Sequence, residues 1–344
     1  MKRRAFLLGG LAVAGCTKPV IDGVTRLTYA TPYSPGHPFS RADQTWMKFV
    51  AQRSGGSLAL RPLWSGSLLS SDQSMEELRH GVADIGLITP IYVKGGAHLL
   101  RIQAGFYSGV RTVEDQVSLY RCMEQSSPQF AVELKGLKVL AVQGGNMPSL
   151  ITRNHPVKSL ADLKGLRLRI PSELSEVTKA LGADPVNMPM GEVYSALAKG
   201  IIDGVVAPAD TFRALHFSEV AKFYWPLEIA RGAYPARAMT LKRFESLAPE
   251  QRAVLDEGIA VWEAALADEI RKAQAAGLKA AAAEGVQTFP VSPEDQVTFN
   301  ALYLKVAQRN AGHLSRYGID GTAVFNAGRA SLHPDGSISC PVRT

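Results

Sequence analysis

Cysteine is scarce in this chain: Cys16, Cys122 and Cys340 are the whole supply in 344 residues. So few exclude a disulfide-dense scaffold, and their separations match no zinc-ligand spacing. In an exported protein Cys122 and Cys340 are free to pair, and the sequence leaves the paired and unpaired forms equally open. Long apolar runs are also missing. Beyond the first sixteen residues nothing approaches the roughly 20 consecutive apolar residues of a membrane helix. The chain has no G-x-S-x-G elbow, no H-E-x-x-H, no phosphate loop ending in G-K-S/T and no G-x-G-x-x-G after a strand. Its seven histidines are dispersed, so neither a metal site nor a cofactor is expected. A lyase or isomerase built from an arginine and a general acid stays open as the lesser alternative. Basic residues lie scattered among acids, which gives no nucleic-acid surface. The formal charge is +7, or +4 without Lys2, Arg3 and Arg4, a mild balance that favours an anionic ligand without specifying one.

What is present begins with a leader. Lys2, Arg3 and Arg4 precede the apolar run Phe6 to Ala14, and Gly15-Cys16 closes it. That is the build of a secretory signal. Arg3-Arg4-Ala5-Phe6-Leu7 resembles the twin-arginine export motif, although Lys2 and Leu8 are not its usual flanks. Val13-Ala14-Gly15-Cys16 resembles a lipobox, so Cys16 is the expected lipidation site and a lipid anchor at the membrane surface follows, with ordinary cleavage nearby as the alternative.

The body reads as α/β. Leu27 to Thr31, Leu58 to Leu63 and Ala83 to Thr89 read as strands, separated by helices from Phe39 and over Ser71 to His80, which predicts a parallel arrangement. A Pro-rich loop with His37 follows the first strand; His37 is read there as structural or solvated. Leu137 to Val142 is the strand expected to enter a second domain, and Leu227 to Leu241 the one expected to return. Leu247-Ala248-Pro249-Glu250 opens a helix running to about Ala283, because proline suits the first turn and acids complement the helix N-terminus. At 1.5 Å per residue it spans roughly 50 Å, enough to bridge two domains, and its apolar positions keep no strict heptad. A short strand at Val286 to Pro290, a helix over Pro293 to Leu314 and a loosely ordered tail beyond Ser331 complete the reading.

The centre of the chain holds the sharpest signal. In Leu166-Arg167-Leu168-Arg169-Ile170-Pro171 the leucines and isoleucine share one face of a strand and the two arginines the other, and Pro171 ends it. Ligands of open α/β sheets sit beyond the carboxyl ends of strands, so Arg169 is better placed than Arg167 to meet one. Its guanidinium can grip a carboxylate with two parallel hydrogen bonds. The plain alternative pairs Arg169 with Glu173 or Glu176 at the surface.

The run D-L-K-G-L-R-L-R-I-P, followed by L-G-A-x-P and E-V-Y-x-A-L-x-x-G-x-x-D-G, resembles the DctP-type solute-binding proteins of tripartite ATP-independent periplasmic (TRAP) transporters. The resemblance extends backwards through H-P, S-G-G-x-L and G-x-A-D-I-G. It implies a periplasmic, two-lobed α/β protein with a ligand cleft between lobes and a long bridging helix, which captures a small organic acid for a membrane permease and catalyses nothing. The expected division is residues 1–16 as leader, 25–136 and 137–235 as the lobes, each with part of 236–330, and 331–344 as tail. It further implies that Arg169 holds the ligand carboxylate and that Thr89 and Tyr92 face the ligand from the first lobe. Thr89 and Tyr92 read equally well as ordinary loop residues. Met190 is expected to line the pocket or to pack in the core. Two positions depart from the family pattern: Ser149 stands where many members carry a second arginine, and Ala207 where asparagine is frequent. Losing both polar anchors predicts an acid smaller or less polar than a sugar acid. A sensor module presenting the acid to a receptor is the remaining alternative.

Overall fold

The computed structural model describes residues 23–340. The leader, with Cys16, lies outside the described residues. Two sheets form the body, and strands are numbered in chain order. β1 (Thr25–Ala30), β2 (Leu58–Leu63) and β3 (Ile85–Leu87) pair in parallel, as the alternation of strands and helices predicts. β4 (Leu137–Gln143) and β10 (Tyr234–Thr240) complete that sheet in the order β2-β1-β3-β10-β4. β10 runs antiparallel to both its neighbours. The strand at 137–143 therefore finishes the first sheet instead of entering the second lobe, and the crossing falls just after it, at Gly144 to Pro148.

The second sheet contains β5 (Ser149–Thr152), β6 (Arg167–Arg169), β7 (Asp184–Val186), β8 (Gly204–Ala207), β9 (Phe223–Trp225) and β11 (Gln287–Thr288), ordered β11-β9-β5-β8-β6-β7. β6 lies parallel to β7 and β8, whereas β5 is antiparallel to β8 and β9. The short strands β5, β7, β8 and β9 carry little periodicity of their own. Their pairing is decided by neighbours distant in sequence.

The helix Pro249–Ala283 has 35 residues and joins the two halves. Near its start Gly258 lets it approach Trp46 of the helix Pro38–Arg53, where an added Cβ would stand 2.6 Å from the indole nitrogen. Near its end Gly277 lies against the backbone of Ala209, and a Cβ would meet that carbonyl oxygen at 2.0 Å. The helix Pro293–His313 then runs from one core to the other: Phe299 and Val306 pack among second-sheet residues, Ala307 and Ala311 among first-lobe residues. No described helix is long and apolar enough to cross a membrane.

The tail is better fixed than its composition suggests. Leu332 bridges Ile338, and Cys340 forms a disulfide with Cys122 of the helix Val113–Ser126 across 218 residues of sequence.

Candidate functional site

Two arginines are buried almost completely, Arg237 and Arg169, and their surroundings differ. Arg237 on β10 donates from Nε to Asp43 Oδ1 at 2.7 Å and from Nη2 to Oδ2 at 3.2 Å, with its guanidinium 4.6 Å from the Trp262 ring. The Trp262 indole N–H also reaches Asp43 Oδ1, at 2.8 Å. This is a completed ion pair that locks the helix Pro38–Arg53, β10 and the long helix together. Arg169 has no such partner. It is 2 % exposed, donates from Nε to the Met188 carbonyl at 3.0 Å and from Nη2 to the Tyr92 hydroxyl at 2.7 Å, and meets no carboxylate at ion-pair distance among the described residues.

Burying a guanidinium is costly unless an anion compensates it. The acids that the sequence offered as its partners are engaged otherwise or stand off. Glu176 pairs with Arg309, and Glu173 keeps Oε2 without a hydrogen bond. Arg167, one step back on the same strand, behaves in the opposite way. It is exposed and pairs with Asp203 at 2.8 Å. The two arginines share one face of the strand, and position along it separates them: Arg167 at its start closes a surface pair, and Arg169 at its carboxyl end is buried beside the cleft.

Arg169 opens into a cavity of about 110 Å³ between the two sheets. The first lobe contributes Thr89, two residues beyond β3, and Tyr92, in the tight turn Pro90–Tyr92. The Thr89 hydroxyl is buried and unpartnered, while its backbone N–H is held by Ser74 Oγ at 3.2 Å. Met190 contributes from the second lobe. The structure therefore brings together four of the six residues that the sequence put forward for the pocket.

Ser149 and Ala207 are not among them. They are cross-strand partners on β5 and β8, and both are buried. The cavity is lined instead by their neighbours Pro148, Val206 and Pro208. Because side chains alternate between faces of a strand, a position one residue off points away from the ligand side. Ala207 packs with Ile151 and Val205, and the Ser149 hydroxyl accepts from Tyr224 at 3.4 Å.

Sequence reading missed two charged contributors, Arg231 and Asp210, and offered a third, Glu173, only as a surface partner of Arg169. Arg231, in the crossing between β9 and β10, lines the cavity, packs on Gly145 and has no carboxylate at ion-pair distance among the described residues. A second guanidinium therefore enters from the crossover, where the family pattern expects one on β5. Gly232, which admits the close approach of Ala104 and Tyr107, was the one visible sign that this segment is tightly placed. Asp210 and Glu173 line the same cavity. Burial pushes both carboxyls upward; Asn146, donating to Asp210 at 2.9 Å, and the Arg231 charge offset part of the effect on Asp210. Glu173 rises to about 7, with Arg169, Arg101 and Arg231 opposing the shift. His37 both caps its helix and lines the cavity. It accepts from the Phe39 N–H at 3.2 Å and stacks on Tyr33, and burial lowers its pKa to about 3, so it stays neutral.

A buried, unpaired arginine facing a cleft between two α/β lobes is the arrangement of an anion receptor. The model of the bacterial extracellular solute-binding proteins of family 7, DctP, matches residues 29–311. The chain belongs to this family. Its members are the binding proteins of TRAP transporters and carry out no catalysis. A TRAP solute-binding protein from Rhodoferax ferrireducens, solved in complex with copurified benzoate, superposes with a TM-score of 0.80 at 25% identity, covering 89% of this chain and 97% of that one. The monocarboxylate 2-oxoacid-binding periplasmic protein of Nostoc sp. is 27% identical over 65% of this chain and 65% of its own length. The 2,3-diketo-L-gulonate-binding periplasmic protein YiaO of Escherichia coli is 35% identical, over 35% of this chain and 37% of its own. Aligned regions thus span just under two thirds and about one third of those two curated relatives.

In this solute-binding protein the cleft walls are mostly apolar, with Phe39, Ile91, Leu100, Leu174 and Val206 around the polar groups. A site of this kind can orient one anionic head by the guanidinium and hydroxyls while it desolvates an apolar body. Among the described residues no group of three His, Cys, Asp or Glu is gathered to hold a metal.

Proposed function

We propose that this protein captures a small monocarboxylic acid with a largely apolar body and delivers it to a TRAP-type permease. Arg169 carries the reading: a buried cation whose only partners among the described residues are a carbonyl and a phenol leaves donors for a carboxylate. Tyr92 and Thr89 on the first lobe and Arg169 and Met190 on the second would touch the same guest, so ligand binding favours the closed arrangement of the lobes. The apolar walls support a ring or short hydrocarbon body over a polyhydroxylated one, since each buried hydroxyl would need a partner. The benzoate and 2-oxoacid of the two relatives matched over the larger shares agree in class. Periplasmic location follows from the family and the leader, with twin-arginine export and Cys16 lipidation as its finer part. Mass determination of the mature N-terminus tests both.

The ligand assignment is tested by thermal shift and calorimetry with benzoate, pyruvate, succinate and glucuronate on the wild type and Arg169→Ala. Ligand that binds only the folded form raises the melting temperature. A monocarboxylate is expected to rank first, and Arg169→Ala to lose about 100-fold or more in affinity, about 3 kcal/mol for a charge-assisted pair of hydrogen bonds. A clear preference for glucuronate, or wild-type affinity in the variant, overturns the assignment.

A further inference from the structure

Glu173 is a carboxyl buried in a pocket built for carboxylates. It lies in the turn Ser172–Leu174, directly after the strand that carries Arg169, is 7 % exposed, and lines the cavity with Oε2 free of any hydrogen bond. We propose that Glu173 meets the ligand in its protonated form and donates a hydrogen bond from its unpartnered oxygen to the bound acid, so that a proton enters the pocket with the anion wherever free Glu173 is ionised. The proton comes from solvent and stays on Glu173 until the ligand leaves. The inference rests on the small-acid reading above.

Charge balance supports it. Arg169 and Arg231 face the cavity with Asp210 and Glu173. If Asp210 is ionised, one monocarboxylate brings the four groups and the ligand to neutrality only when Glu173 holds a proton; an ionised Glu173 would leave a net negative charge in a desolvated space. Two carboxylates sharing a low-dielectric site drive one of them to protonate. The free protein is already poised for this, because burial lifts Glu173 to about 7, and a bound anion lifts it further.

Among the described residues, the elements packed against this turn supply no competing proton carrier; Asp210, across the same cavity and also raised by burial, is the one rival, and a slope that persists in Glu173→Gln would point to it. Arg101 and His98 stand on the helix His98–Ile102 that packs against the turn, and His98 stacks on Tyr317 outside the cavity. The adjoining turn Gln103–Tyr107 brings Tyr107, and the helix Pro293–His313 brings Tyr303; burial pushes both phenols well up. Glu176 and Lys179 follow on the helix Ser175–Ala180, and Glu176 is paired with Arg309. His37 is neutral throughout the range.

The experiment is calorimetric titration of benzoate, whose own carboxyl stays ionised, into the full mature chain between pH 5.5 and 8.5. In the wild type Kd is expected to rise by up to about tenfold per pH unit once free Glu173 ionises. At pH 7.5, titrations in buffers of differing ionisation enthalpy should show uptake of up to about three quarters of a proton, the share of free Glu173 that is ionised there. Glu173→Gln keeps the donor without the charge, and should bind with a nearly flat profile and no uptake. A flat wild-type profile, or a slope that persists in Glu173→Gln, overturns the proton linkage while leaving the small-acid reading intact. Failure of benzoate to bind at any pH overturns the reading on which the linkage rests.

Discussion

At the scale of single residues, this protein uses two buried arginines in opposite ways. Arg237 is satisfied inside the fold, so removing its acid should destabilise the chain: Asp43→Asn is expected to cost about 3–5 kcal/mol by chemical denaturation, because the guanidinium then stays buried and uncompensated. Arg169 meets no carboxylate among the described residues, and under the proposed function the guest supplies that anion. Removing its charge should weaken binding while leaving the empty protein at least as stable, the ordinary relation between a binding site and its scaffold. Glu173 adds a stability term of definite sign. Its folded pKa lies near 7 against an ordinary value of 4.5, so between these pH values the folded chain binds more protons than the unfolded one. Stability from this group is therefore full below pH 4.5 and is lost as pH rises through 7, by up to roughly 3 kcal/mol. Melting curves at pH 5 and pH 8 should show a larger drop for the wild type than for Glu173→Gln. An equal drop in both would place Glu173's ionisation elsewhere.

At the scale of elements, the long helix matters most. Its glycines mark where it comes closest to each lobe. Gly277→Val would drive a side chain into the Ala209 carbonyl, next to the Asp210 that lines the cavity, with no flexible neighbour to yield. The expected outcome is a loss of about 2 kcal/mol or more in stability, from overpacking, together with weaker ligand binding. Thermal melts with and without ligand separate the two effects. The same stretch of chain shows what a local pattern determines. Pro249–Ala283 was legible to its ends because proline, acids and an unbroken helical composition all act locally. β5, β8 and β9 were not legible, since three- and four-residue strands with both faces buried have no alternation to read. Ser149 and Ala207 lie off the cavity for a related reason: on a strand a shift of one residue selects the opposite face.

At the scale of the molecule, the chain crosses between its halves after β4, after β9, along the long helix and along the helix Pro293–His313, and the cavity sits between the two halves. The Cys122–Cys340 bond closes a loop across 218 residues, and loop entropy sets its contribution at no more than about 5 kcal/mol, with 2–4 kcal/mol typical. Reduction is expected to lower the melting temperature and to expose the tail to proteolysis, without abolishing ligand binding, because neither cysteine lines the cavity. An unchanged melting temperature after complete reduction would remove that role. The sequence by itself determined the α/β class, the family, the bridging helix and the selection of Arg169 over Arg167, since each of these follows from local periodicity, from terminators or from a contiguous motif. Only the tertiary structure decided that the strand at 137–143 belongs to the first sheet, that the last cysteines pair, and that Arg231, Asp210 and Glu173 share a cavity with Arg169. Those outcomes depend on which segments lie side by side in space, and on a desolvation that no single residue carries in its own neighbourhood of the chain.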